Sequence, residues 1–447
     1  MDKFTRRDFL KASGGTCAVF GASRILRGVQ RLSAATSTVH AILGNQLSEL
    51  YQMAGDAAQA IGIGSGTSMS GHTVFIKPNL LCMGQGGFMP QNGSTTKAEV
   101  IVGVAEQCLL AGADKVTIGD AAQGITWDWS TIGFFPGNTV FGTTNIQDAV
   151  SHLKTNFPSQ EIELSCLHEV DEWEYLPSSS NEALMANGLK VGKSFYNADH
   201  VISISPLKNH PWADISGTMK NLIGATTAQP PFGFWAGPTW MMRELLHQAY
   251  ANITSADFDQ AGIAAAFIDI IKWRQDNGKQ DFGIVECSIG IEGNGTRPLP
   301  FGAGKNIDIK ARSNIGKYFI LASNDLAAID ATNVRIMNRD VNTIRQLVMA
   351  RNMGLGEITD IDLIGASIDD LLIPNWLRSY TQDEWGLAST VPVALHGTKT
   401  QQRSQMVNTV AGLGLPTAMI GGLRAWHQRM QPCCKPKGPC KTTEKNE

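Results

Sequence analysis

The sequence predicts an α/β protein: a mostly parallel open sheet with helices on both faces and one irregular insertion. Three observations lead there. Short apolar runs rich in β-branched residues alternate with segments of helical period. The first two runs are joined through a single helical segment, as a βαβ unit requires. Several runs also close on Lys, Asn, Asp, His or Glu, and parallel strands bring such ends to the one edge where open α/β sheets bind ligands.

Val74-Phe75-Ile76 is the first strand, stopped by Lys77-Pro78-Asn79 because Pro78 cannot continue a central ladder. Thr96-Lys97-Ala98-Glu99 has the spacing of a capping box, so it predicts a helix from Thr96 as N-cap to about Leu110, with Gly112 at its C-terminal cap. Val116 to Asp120 is the second strand. Residues 124–198 are irregular, with Trp127, Trp129 and Phe134-Phe135-Pro136, and read as an insertion. Val201 to Ser205 restores the sheet. Residues 229–240, QPPFGFWAGPTW, form a Pro/Gly/aromatic loop, either packed or a lid. Two helical patterns follow, over 238–253 and 258–274. Phe282 to Cys287 and Phe319 to Ala322 are strands. Ser323-Asn324-Asp325 caps a helix reaching about Met337, and Ile361 to Ile364 is the last strand.

The chain has 447 residues and a formal net charge of −3, with no long basic run, which argues against a nucleic-acid partner. Thr5-Arg6-Arg7-Asp8-Phe9-Leu10-Lys11 matches the twin-arginine export pattern, and the run Ala12 to Leu26 is too short and too weakly apolar to span a membrane. Cleavage after Ala35 or Ala41 fits. The expected organisation is therefore a signal at 1–35, an α/β domain at 36–378 with its insertion at about 124–198, and an extension at 379–447. The expected location is periplasmic or otherwise extracytoplasmic, reached through the twin-arginine translocation machinery. No later segment reaches the ~18 uninterrupted apolar residues of a membrane span.

Cys17 falls in the signal. Cys82, Cys108, Cys166 and Cys287 lie in or beside apolar runs and read as small core hydrophobes. Cys433, Cys434 and Cys440 stand in a Pro-rich basic tail expected to be disordered. They fit a disulfide or free thiols, or a metal or cluster role, without iron–sulfur spacing.

The densest polar stretch is Val201 to Gly224. Lys208, Asn209 and His210 follow its apolar run, and Lys220 and Asn221 come after. With Lys77 and Asn79, these lysines suit neutralising a small anion and the asparagines suit orienting it. Gly293 and Gly295 sit in a turn whose backbone N–H groups can approach a ligand. His210 and Asp120 are the candidate proton-moving pair. Glu286 and Glu292 are candidate ligands for a divalent metal. There is no HExxH, no G-x-S-x-G and no Walker-type loop, and Gly62 to Gly66 misses the dinucleotide fingerprint. The cofactor stays open between a divalent metal, an iron–sulfur cluster and none.

Four segments carry a family resemblance. They are Val74 to Asn79; Ala111 to Val116 running on to Gly119-Asp120; Pro206 to His210 with Met219 to Gly224; and Glu292 to Gly295 followed by Ala322 to Asp325 and Ala328-Ile329-Asp330. On these the chain resembles the domain of unknown function 362 family over about Thr73 to Gly365. The resemblance implies no settled activity. It implies association with iron–sulfur modules, although this chain has no ferredoxin cysteine set. The readings that remain are an exported protein binding or transforming a small anionic or carboxylate-bearing molecule, a non-catalytic binding or cofactor-handling protein, and a metal or iron–sulfur redox protein.

Overall fold

The computed structural model describes residues 36–64, 69–80, 90–121, 127–167, 172–176, 189–210, 213–226, 262–294 and 303–378. The strands are β1 (Ser37–Gly44), β2 (Thr73–Lys77), β3 (Lys115–Asp120), β4 (Glu161–Cys166), β5 (Trp173–Leu176), β6 (Leu189–Gly192), β7 (His200–His210), β8 (Asp214–Ile215), β9 (Gln280–Asn294), β10 (Ala303–Asp308), β11 (Tyr318–Ser323) and β12 (Ile361–Ile364). The helices are α1 (Leu50–Ala60), α2 (Ala98–Leu110), α3 (Ile146–Asn156), α4 (Lys193–Asn197), α5 (Thr218–Asn221), α6 (Gly262–Asp276), α7 (Ile309–Arg312), α8 (Leu326–Ile336), α9 (Arg345–Asn352) and α10 (Ile368–Leu371).

One ten-stranded sheet organises the molecule, in the order β12-β1-β11-β9-β7-β2-β3-β4, with β10 beside β9 and β8 beside β7. Along that path β9, β7, β2, β3 and β4 pair in parallel, as do β1 and β12. β11 pairs antiparallel with both β1 and β9, so it alone on the path is reversed. The sheet is therefore mixed and mostly parallel, as the sequence predicts.

Period-2 alternation sends side chains to two cores. Val74, Ile76, Ile202, Ile204, Phe282 and Ile284 pack with α1, α2 and α3 on one face. Phe75, Val201, Val285, Cys287 and Phe319 pack with α6, α8 and α9 on the other. Among the described residues no helix is long and apolar enough to cross a membrane. Cys108, Cys166 and Cys287 are buried free thiols within these cores, and burial pushes the thiols of Cys108 and Cys287 up.

Three expectations need correction. The capping box at Thr96 and Glu99 does not form: Lys97 is the N-cap residue and receives no side-chain cap. The Thr96 hydroxyl instead donates to Ile204 O at 2.8 Å and accepts from Asn79 N at 2.9 Å, while the Glu99 carboxylate takes the Phe135 N–H at 2.7 Å. Tertiary partners outcompeted the local ones. Next, the stretch at 124–198 is only partly an insertion. Asn145 caps α3, and β4 then extends the main sheet against β3, leaving β5 and β6 as a separate hairpin-like pair. Finally, β7 does not stop at Ser205, nor β9 at Cys287. A bulge between Pro206 and Lys208 absorbs the missing proline donor, and both strands run on. Elsewhere, Asp325 caps α8 by accepting from Ala327 N and Ala328 N, and Gly112 holds a φ of 88° after α2, both as predicted.

Candidate functional site

The C-terminal ends of β2, β3 and the prolonged β7 and β9 bring most of the candidate residues together. At the end of β2, Lys77 meets Asp120 of β3, with Nζ 2.9 Å from Oδ1 and both side chains buried. The other Asp120 oxygen accepts the Leu80 N–H at 2.8 Å, beyond the proline that ends β2. Gly224 closes over this pair. A Cβ there would stand 2.6 Å from Lys77 Nζ and 2.7 Å from Asp120 Oδ1, so only glycine lets the backbone approach. That backbone is itself held, because Gly224 O accepts from Ala121 N at 2.9 Å.

Asn221 joins this group to β7. Its Nδ2 donates to Lys77 O at 2.7 Å and lies 3.2 Å from both Ser203 Oγ and Ile204 O. Lys208 donates to Asn79 Oδ1 at 3.0 Å and to Ser94 O. Beside it Lys97, absent from the sequence-predicted set, stands 3.2 Å from Glu286, both fully buried. Lys97 also donates to Asn92 O and Thr95 O, and Glu286 takes the Ser288 N–H at 2.8 Å. The polar run Asn92 to Lys97 ahead of α2 was the available signal for this pair. Lys77, Lys97, Lys208 and Lys220 are at most 8% exposed, which is unusual for lysine.

Glu292, Asn209 and Gly293 form the next part. Glu292 pairs with Arg312 at 3.4 Å and accepts the Leu377 N–H at 3.1 Å. Asn209 donates to Gly293 O and Leu377 O, at 3.1 and 2.7 Å, and accepts from the Trp376 indole at 2.9 Å. The amide hydrogens of Asn209 and Asn221 are thus engaged within the protein. Both residues fasten backbone here rather than facing a ligand with free donors.

His210 and Asp120 are not brought together. His210 accepts the Ala213 N–H at 3.2 Å through Nδ1, next to the β7–β8 pairing, whereas Asp120 is tied to Lys77 and Leu80. The proposed acid–base pair is therefore not formed, because the continuation of β7 carries His210 past the edge where β3 ends. Glu286 and Glu292 are each matched to a cation, and among the described residues no group of three His, Cys, Asp or Glu side chains stands together as a metal site. Gly295, the loop at 229–240, Arg6 and Arg7, and the tail cysteines lie outside the described residues.

Asp330 is a second residue that site reasoning missed, although it closes the last motif of the resemblance. Buried in α8, it accepts from Thr218 N at 2.6 Å and Met219 N at 3.1 Å, the start of the turn that carries Lys220 and Asn221. Burial pushes its carboxyl up to about 7 against the downward pull of those donors.

No curated protein matches the sequence. A crystal structure of a protein from Thermotoga maritima, a structural-genomics target, is similar at 11% identity and a TM-score of 0.30. The match covers 56% of this chain and 53% of that one, so the chain spans about half of that structure's length. The family model described as domain of unknown function (DUF362) matches residues 74–335, the stretch from β2 to α8 that holds the buried lysines, Asp120 and Asp330, and the chain belongs to that family.

Proposed function

We propose that this protein binds a small anionic or carboxylate-bearing molecule at the C-terminal edge of β2, β3, β7 and β9. The observation that carries this reading is the burial of four lysines at or next to these strand ends. A buried ammonium group is costly unless it faces negative charge. Lys77 and Lys97 face Asp120 and Glu286; Lys208, held by Asn79 and Ser94 O, and Lys220, next to the Asn221 that bonds Lys77 O, are buried as well. Binding without transformation is favoured over acid–base catalysis, since His210 and Asp120 are engaged separately. We further propose that the chain is exported by the twin-arginine route, on the strength of Arg6-Arg7 in its Phe-Leu-Lys context.

The test is calorimetric titration with sulfate, phosphate and a panel of mono- and dicarboxylates, comparing wild type with Lys220→Met. Methionine keeps the aliphatic stem and removes the charge. Loss of a hydrogen bond to a charged group weakens binding by about 1.5–3 kcal/mol. Equal affinity of the two proteins for every anion bound would overturn the reading. Elemental analysis of protein purified from its host decides the metal or iron–sulfur alternative.

A further inference from the structure

α5 (Thr218–Asn221) is a four-residue helix, too short to sustain itself, since isolated helices well over twice that length are marginal in water. Its N-cap residue is Gly217, which has no side chain with which to cap it. The cap comes from another helix. Asp330 Oδ1 accepts from the Thr218 N–H at 2.6 Å and the Thr218 hydroxyl at 3.0 Å, and Oδ2 accepts from the Met219 N–H at 3.1 Å. Gly217 makes room for this approach, because a Cβ there would lie 2.2 Å from Oδ2.

The other end of the turn is fastened by Asn221, which reaches Lys77 O at the end of β2 and Ile204 O in β7. Lys220 rides between these two anchors and is 8% exposed. α8, which supplies the carboxylate, starts from the Asp325 cap, where Oδ1 accepts from Ala327 N at 2.9 Å and Ala328 N at 3.0 Å. A chain of short-range anchors therefore runs from α8 to the lysine.

We infer that Asp330 is the positioning residue of this edge: its carboxylate clamps the α5 turn across the space left by Gly217, and so sets where Lys220 and Asn221 stand. Its consequence for ligand binding rests on the anion-site reading; the clamp itself rests on the geometry alone. Both Asp330 oxygens are engaged with the same turn, which distinguishes it from a buried acid held by scattered contacts.

The experiment is acetylation of lysines by dilute acetic anhydride, read peptide by peptide by mass spectrometry, on wild type, Asp330→Asn and Gly217→Ala. Fully buried Lys97 serves as the internal reference, and Lys305, 69% exposed at its side chain, normalises the reagent. Asparagine keeps the shape but turns an N–H group toward donors. The alanine at 217 pushes the carboxylate off the turn from the other side, and it takes over the test if the Asn variant does not fold. The expected result is Lys220 labelled about tenfold faster, which is what losing ~1.4 kcal/mol of local protection gives, with Lys97 still protected. Lys220 labelled at the wild-type rate would overturn the inference, as would an equal rise at Lys97, which reports general loosening. Sulfate titration of wild type and Lys220→Met separates the two readings. If those proteins bind alike while the labelling result holds, the anion site falls and the clamp stands.

Discussion

Removing either partner of the Lys77–Asp120 pair is predicted to destabilise the fold strongly, and removing both is predicted to cost much less than the two single losses together. At 2.9 Å the gross attraction is about 6 kcal/mol at an effective dielectric constant of ~20. Desolvation of both groups offsets most of it, so the pair as a whole contributes little net stability. A single substitution has a different effect. Lys77→Met leaves Asp120 with only the Leu80 N–H, its Oδ1 having no other hydrogen-bond partner, and strands a charge at 3% exposure. Breaking a buried pair in this way costs about 3–5 kcal/mol. Asp120→Asn keeps the acceptor for Leu80 and removes the carboxylate from Lys77, which retains its hydrogen bond to Pro78 O, and a loss of similar size is expected. In the double variant no uncompensated charge remains, so its loss should not exceed either single loss, and a coupling of at least about 3 kcal/mol should appear in the double-mutant cycle. Urea unfolding with a shared slope measures it. Single losses under about 1 kcal/mol, or a double loss equal to their sum, would show that water screens this edge and that the pair is not buried as described.

Three further outcomes are expected. Gly224→Ala places a Cβ 2.6 Å from Lys77 Cε and Nζ while Gly224 O stays bonded to Ala121 N, so thermal unfolding should report a loss of about 1–3 kcal/mol, and an unchanged midpoint would contradict the close approach. Asp330, pushed up to about 7 by burial, keeps a proton that the unfolded chain releases near its ordinary value of 3.8; its stabilising contribution is therefore full below that value and is lost as pH rises through about 7. The urea midpoint should fall between pH 5 and 8 in wild type and fall less in Asp330→Asn, and parallel profiles would refute this. Replacing Arg6 and Arg7 together by Lys should leave the full-length chain unprocessed in the cytoplasm, as read by fractionation and blotting, and normal periplasmic accumulation would sink the export proposal.

Local pattern carried the architecture. β-branched runs such as Val201 to Ser205, the alternation of strands with helices, and the Asp325 cap are all set by residues within a few positions of one another, and each appears in the fold. The same locality explains the failures. Thr96 and Glu99 have capping-box spacing, yet Thr96 is drawn to Ile204 and Asn79 and Glu99 to Phe135 and Asn138, partners that sequence spacing does not reveal. The apolar run ends at Ser205, but a bulge lets β7 carry Lys208, Asn209 and His210 onward as strand residues. Of the candidate site, the residue types that crowd the strand ends are legible in the chain alone, because composition at an apolar run's end is visible without a fold. Their partners are set by the packing of the sheet. Lys77 with Asp120, Lys97 with Glu286, and Thr218 with Asp330 are separated along the chain by dozens of residues or more, and a buried charge takes whichever counter-charge the packed sheet brings within reach.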